Sequence, residues 1–249
     1  MRWLLFFLVL PLPLHAVETL PANVRQLIVS IALEWDSSRG KLLALERVPG
    51  GEWRPVLGPI PVLYGSNGLA WGRGIFAVEP GSQKVERDGK APAGVFRLGK
   101  IYTADKALPK GARYPFHTIT RADAWIDDPK LTEIYNRHVT VDLKNPPPWF
   151  ESQKMRHGDP AYRWLVEIRH NSDPPVPGMG SAIFFHVRRG PDRTTWGCTT
   201  MAEADIVELI RWLRADARPH YVLLPWAEYR KKWVAWGLPK PETIRAIIP

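Results

Sequence analysis

The sequence predicts a mainly β fold with one helix flanking a lone cysteine. Three observations carry that expectation. Short apolar runs, bounded by turn-forming residues, recur from Leu27 onward. The run Glu86–Lys100 carries Asp88-Gly89 and Ala91-Pro92-Ala93-Gly94, a tight turn leading into a strand. Around Cys198 the apolar period changes from two to helical, so a strand, a polar loop and a helix follow one another there. With 249 residues, 45% hydrophobic and 24% charged, the chain is long enough for one sizeable core, and residues 17–249 read as a single domain.

Taken in order, residues 1–16 (MRWLLFFLVLPLPLHA) place one early positive charge before an apolar run and a small residue, the order of a secretory signal peptide. The run is short and broken by Pro11 and Pro13, so an uncleaved anchor is the lesser alternative. The expected mature chain starts near Val17, is exported, and keeps no membrane span. Export alters the meaning of the single cysteine, which has no partner within the chain for a disulfide. Cys198 is therefore either an inert buried thiol or a working one. The formal charge of +9 favours an anionic partner, and for an exported protein a cell-envelope polymer fits better than nucleic acid.

Leu27–Trp35 and Lys41–Val48 flank the turn-forming DSSRG and predict a hairpin. Trp53–Tyr64 continues the pattern, but Pro55, Pro59 and Pro61 place it at an edge. The glycines of Gly65–Gly99 form neither GxGxxG before a helix nor GxxxxGK[ST], so no nucleotide cradle is expected; the next strand is Val95–Leu98. Residues 102–160 mix aromatics with turn residues, as in Trp125-Ile126-Asp127-Asp128-Pro129, and read as an irregular insertion, either a lid or groove wall or a plain surface excursion.

Tyr162–His170 alternates, with Trp164, Val166, Ile168 and His170 on one face, and Ser181–Arg188 puts Ala182, Phe184, His186 and Arg188 on another. Adjacent strands of this kind can bring His170 and His186 to the same end of a sheet. Thr200-Met-Ala-Glu203 fits a capping box, followed by a helix over about Ala202–Ala215 with Ile206, Val207, Ile210 and Leu213 inward. Cys198 then lies just ahead of a helix N-terminus, whose dipole favours a thiolate by about 0.3–1 kcal/mol. A strand His220–Leu224 and a basic aromatic helix at about 227–236 close the chain.

Thiolate attack on a carbonyl needs a base, a group that fixes the base's tautomer, and donors for the oxyanion. His186 can be the base, the Thr195 carbonyl the orienter, and the Gly197 and Cys198 amides the donors. His170, Trp196 and Trp125 are candidates for the walls of a substrate groove; as dull alternatives, His170 is structural, the tryptophans are core and Thr200 is only a cap.

Strand, histidine, short loop, [ST]-x-Gly-Cys and helix together resemble the L,D-transpeptidase catalytic domain of the YkuD type. Gly89–Phe96 (GKAPAGVF) and Gly178–His186 (GMGSAIFFH) are similar to its upstream segments, and the resemblance spans roughly Leu27–Leu224. It implies a β-sandwich, a periplasmic location, no cofactor, peptidoglycan stem peptides as substrate, and a thioester acyl-enzyme on Cys198 with His186 as base. Gly197 would then belong to the oxyanion loop, and the carbonyl of Thr195 would orient the histidine. The family's Gly-Cys-x-Arg has Thr200 at the arginine position, and the loop after His186 is short; both lie where substrate binds. Hydrolysis of stem peptides, as carboxypeptidase or amidase, is the alternative within the family, with an envelope protein as a candidate partner. Outside it stand an inactive module that binds cell-wall peptides and a metal hydrolase. The second finds no support in ligand spacing: seven histidines are present without HExxH or another tight motif.

Overall fold

The computed structural model describes residues 19–48 and 50–248, so the segment read as a signal peptide lies outside the described residues. Among the described residues, twelve strands and three short α-helices follow one another. The strands are β1 (Gln26–Ala32), β2 (Arg39–Arg47), β3 (Trp53–Leu63), β4 (Leu69–Trp71), β5 (Ala91–Thr103), β6 (Phe116–Thr118), β7 (Asp123–Trp125) and β8 (His138–Thr140). Next come α1 (Phe150–Gln153), β9 (Leu165–Ile168), β10 (Phe184–Val187), β11 (Thr199–Met201), α2 (Glu203–Trp212), β12 (His220–Pro225) and α3 (Trp226–Lys232). The mainly β class stands.

The predicted hairpin is present as β1 and β2, antiparallel from Gln26 opposite Glu46 to Ala32 opposite Gly40. On its other side β1 runs parallel to β12. The strand path runs β12-β1-β2-β3-β11-β10-β9-β5, and a β12–β5 pairing joins its ends, so eight strands form one hydrogen-bonded circuit. Closure leaves fewer free edges to protect. β3, expected at an edge, is inside this path, but its ladder pairing with β11 is confined to Leu63 opposite Thr200. Its first eight residues are mostly exposed, which is where Pro55, Pro59 and the missing N–H groups are tolerated.

The main core fills the circuit with the inward residues of β1, β2, β5, β9 and β12 and with Ile206, Leu209 and Ile210 of α2. β1 is buried along its whole length, the sign of a strand covered on both faces. A second, smaller cluster of Tyr102, Ile119, Trp125, Leu165 and Phe184 lies on the outer face of β9 and β10. There the irregular insertion packs, contributing the small β7–β8 sheet, with Asp123 opposite Thr140. The insertion is therefore a wall of ordered turns fixed to the sheet.

Two expectations about the central strands change. β9 and β10 are antiparallel with Phe184 opposite Glu167, a register that puts His186 across from Leu165 and His170 five positions away near Ser181. The two histidines consequently lie at opposite ends of the pair. The helix after the cysteine begins at Glu203, with Ala202 as its N-cap and no side-chain cap. Thr200 sits inside β11 instead, and its hydroxyl donates to the Leu63 carbonyl at 3.5 Å. Pairing of β11 with β10 and β3 has taken the residues that a capping box would have used.

Candidate active site

Cys198 immediately precedes β11, where the parallel pairing of Phe185 with Thr199 brings it beside β10. The loop before it is tied to the end of β3: the Thr195 amide donates to the Tyr64 carbonyl, and the Ser66 amide donates to the Thr195 carbonyl, both at 2.9 Å. Within the loop the Thr195 hydroxyl donates to the Cys198 carbonyl at 2.7 Å and accepts from the Gly197 amide at 3.0 Å. Gly197 has φ +142°, and a Cβ there would stand 2.8 Å from the Lys90 carbonyl oxygen. Only glycine serves at this position.

These bonds reassign three roles. The Thr195 carbonyl accepts from the Ser66 amide, while His186 Nδ1 is oriented by the Val187 carbonyl; the Thr195 side chain shapes the cysteine loop. The Gly197 amide is bound inside that loop, so it is not a free oxyanion donor. The helix N-terminus is separated from Cys198 by the whole of β11, so its dipole does not reach the thiol, the effect being confined to the first turn.

His186 is buried, and its Nδ1 donates to the Val187 carbonyl at 2.9 Å. That bond selects the tautomer whose Nε2 keeps a lone pair, the form a base needs. The Tyr162 ring meets the imidazole edge-on at 5.4 Å, and the Arg156 and Arg189 guanidinium groups lie over the same ring at 5.9 and 5.3 Å. Burial, with the nearby Arg189 charge, pushes the His186 pKa down to about 4 against the pull of the Val187 carbonyl. The Cys198 thiol, half-buried, donates to the Ala182 carbonyl at 3.5 Å. Burial pushes its pKa up to about 11; the Phe184 amide and the Lys84 charge pull the other way. The resting pair is thus a neutral thiol and a neutral imidazole, contrary to the thiolate expected from the helix dipole. No hydrogen bond joins the two among the described residues.

Both side chains line a cavity of about 790 Å³, whose walls include Lys84, Arg87, Arg156, Arg189 and Arg193 against Glu86 and Asp127. Arg189 is paired with Asp159, and Lys84 with Asp88, whereas Arg156 and Arg193 form no ion pair among the described residues. Trp196 stands in the same wall with 76% of its surface exposed, a free aromatic face one residue from the Gly-Cys pair. A smaller cavity of about 240 Å³, walled by Ile119, Trp125, Met155, Leu165 and Phe184, also opens on Cys198 and His186. Trp125 is therefore both core and wall. Thr200 reaches the larger cavity from β11.

His170 is not part of it. It is 1% exposed, packs edge-on against Phe96 in the main core at 5.9 Å, accepts from the Arg73 amide, and binds the Met179 carbonyl at 2.9 Å. Its face of β9 is the core face, opposite that of His186, and burial lowers its pKa to about 3.

Sequence reasoning missed Asn136, which ties the insertion to the cysteine. Its Oδ1 accepts from Trp125 Nε1 at 3.1 Å and from the Ala182 amide at 3.0 Å, while its Nδ2 donates to the His170 and Asn171 carbonyls at 2.9 and 2.8 Å. Asn136 and Ala182 both adopt left-handed backbone, with φ 53° and 54°, so two strained residues meet beside the thiol's acceptor. A buried amide with all four positions used is costly to remove. Asn136→Ala is expected to destabilise the protein by about 2–4 kcal/mol, read as a lowered urea midpoint, and to loosen Ala182 and Trp125. Tyr135-Asn136 had no distinguishing local pattern; an asparagine between aromatic and charged turn residues was the only hint.

A β-rich domain with its sole cysteine and a buried histidine on one cationic cleft has the layout of the class of thiol-bearing cleft domains. The particular family follows: residues 50–222, more than half of the chain, match the L,D-transpeptidase catalytic domain, and the chain belongs to that YkuD family of cell-wall enzymes. The matched segment begins after β2, so the β1–β2 hairpin and α3 lie outside it although β1 pairs with β12. No curated protein and no solved structure matches the chain.

Proposed function

We propose that this protein is a periplasmic cysteine acyltransferase acting on peptidoglycan stem peptides. The observation that carries the reading is the placement of Cys198 and a base-competent His186 on one cavity with an excess of cationic side chains. Stem peptides bring free carboxylates, which suit Arg156 and Arg193, and Trp196 offers an apolar face to the peptide. Cys198 Sγ attacks the carbonyl of the scissile amide as His186 Nε2 takes the thiol proton. The C–N bond then breaks, the departing amine receives that proton, and a thioester remains on Cys198. Lys84, whose charge already acts on the thiol, supplies positive potential where the oxyanion develops. An amine or water then attacks the thioester.

The test is to incubate purified sacculi with the protein and to follow muropeptides by liquid chromatography and mass spectrometry. New cross-linked dimers establish transfer, shortened stems or a released attached protein establish hydrolysis, and an unchanged profile moves the inactive binding module to first place. For a substrate turned over, replacing Arg156 and Arg193 together by alanine is expected to raise KM by about 100-fold with a smaller change in kcat, because each charge-assisted contact contributes on the order of 1.5 kcal/mol.

A further inference from the structure

The buried carboxylate of Asp123 has a side-chain setting that the thiol chemistry does not use. Asp123 is 0% exposed, yet its hydrogen bonds keep its pKa below the ordinary carboxylate range despite the opposing effect of burial. Its Oδ2 is held by the Thr120 amide at 2.6 Å and the Thr120 hydroxyl at 2.8 Å, and the Thr140 hydroxyl reaches Oδ1 at 2.6 Å. Onto that same Oδ1 converge two imidazole nitrogens, His117 Nε2 at 3.0 Å and His138 Nε2 at 2.8 Å. The three ligand-type atoms all lie within 4.8 Å of one another. Edges of a tetrahedron around a zinc ion with ligands at about 2.0–2.1 Å are roughly 3.3 Å long, so small ring movements suffice to place an ion between them. The histidine side chains are 32% and 18% exposed, which leaves a route for an ion from solvent.

We propose that His117, Asp123 and His138 form a binding site for a divalent transition-metal ion, zinc being the best match to two imidazoles and one carboxylate. The two threonines fix the carboxylate as outer-shell partners do in such sites. The three ligands come from β6, β7 and β8 respectively. An ion there staples the first half of the insertion to the closed sheet, since β6 pairs with β5. The link to the cleft is steric: Tyr102 packs on both imidazoles, at 5.9 and 5.1 Å, and on Trp125 at 5.5 Å, and Trp125 lines the smaller cavity beside Cys198. The site is thus structural, positioning a wall of the cleft without touching the reacting atoms. No local pattern announces it, because spacings of five and fourteen residues between the ligands match no short motif.

The test needs no enzymatic activity. The full protein is stripped with a chelator, titrated with zinc by calorimetry, and its melting temperature followed. One ion per chain and a Tm rise of about 5–10 °C at a hundredfold excess over Kd are expected. Cobalt should give the visible bands of a tetrahedral ion with nitrogen and oxygen ligands. His138→Gln keeps an N–H donor for Asp123 but removes the imidazole, so it is expected to stay folded and to lose at least tenfold in affinity. No stoichiometric binding of zinc or cobalt, or binding that survives both His138→Gln and His117→Gln, would overturn the proposal and leave the cluster as a hydrogen-bonded hub.

Discussion

Cys198→Ala protein is expected to leave the muropeptide profile of sacculi indistinguishable from the untreated control, a loss of at least about 10⁴-fold in turnover if the wild type is active. It should melt within about 3 °C of the wild type, because a half-buried thiol exchanged for a methyl group removes little packing. The combination separates a chemical role from a structural one. If the alanine protein still remodels peptidoglycan, the thiol is not the nucleophile. The thiol's environment adds a second readout. With its pKa pushed up to about 11 by burial, Cys198 should alkylate more slowly at pH 7 than an exposed cysteine, and the rate should climb as the pH approaches that value. Rapid alkylation near neutrality, the behaviour expected of a thiolate at a helix N-terminus, is not expected here. Slow alkylation is accordingly no evidence for the binding module: a neutral thiol acts as a nucleophile when a base removes its proton during attack. The sacculus assay discriminates; alkylation alone does not.

The parts of this fold that were legible in the sequence are those set by local period and turn chemistry. The β1–β2 hairpin, the Asp88-Gly89 turn, β9, β10 and the amphipathic residues Ile206 and Ile210 of α2 all follow from alternation, helical spacing or turn residues within a short window. The block from His186 to Cys198 was picked out by its local pattern as well, and both residues line one cleft. What was hidden depends on pairings between distant segments. That β12 lies between β1 and β5, and so closes the circuit, is written in no local pattern. The apparent capping box failed because Thr200 and Met201 gained more from a place in β11, between β10 and β3, than a cap could supply; tertiary pairing overrode local preference. His170 shared the alternation of a groove residue, but the antiparallel register with β10 turned its face to the core. Asn136, Arg156, Arg193 and Lys84 reach the site from separate loops, and nothing short of the fold brings them together.

Replacing His186 by alanine is expected to lower kcat/KM by about 10²–10⁴-fold, the usual contribution of a positioned base, while the wild type keeps an unusually acid-tolerant pH profile. The sign follows from the direction of its shift. A base works only when unprotonated, and burial has moved the His186 pKa from its ordinary value near 6.5 down to about 4, so the base form persists across the neutral range. The acidic limb of kcat/KM should therefore fall near pH 4 and not near 6.5. The same shift bears on stability in a distinct window. Between pH 6.5 and 4 the unfolded chain binds a proton at His186 that the folded chain refuses, so the stabilisation from keeping this ring neutral is complete above pH 6.5 and declines as the pH falls toward 4. At 1.36 kcal/mol per unit the decline amounts to about 3 kcal/mol, and His170, held near 3 by its burial in the core, adds a loss of similar size in the same direction. Acid can thus end activity by unfolding before it protonates the base. Circular dichroism at each pH tells the two apart: a rate that falls while the spectrum is native reports the base, and an acidic limb centred near 6.5 in folded protein would show that His186 is solvated during turnover and that its burial in the resting structure does not persist in the complex.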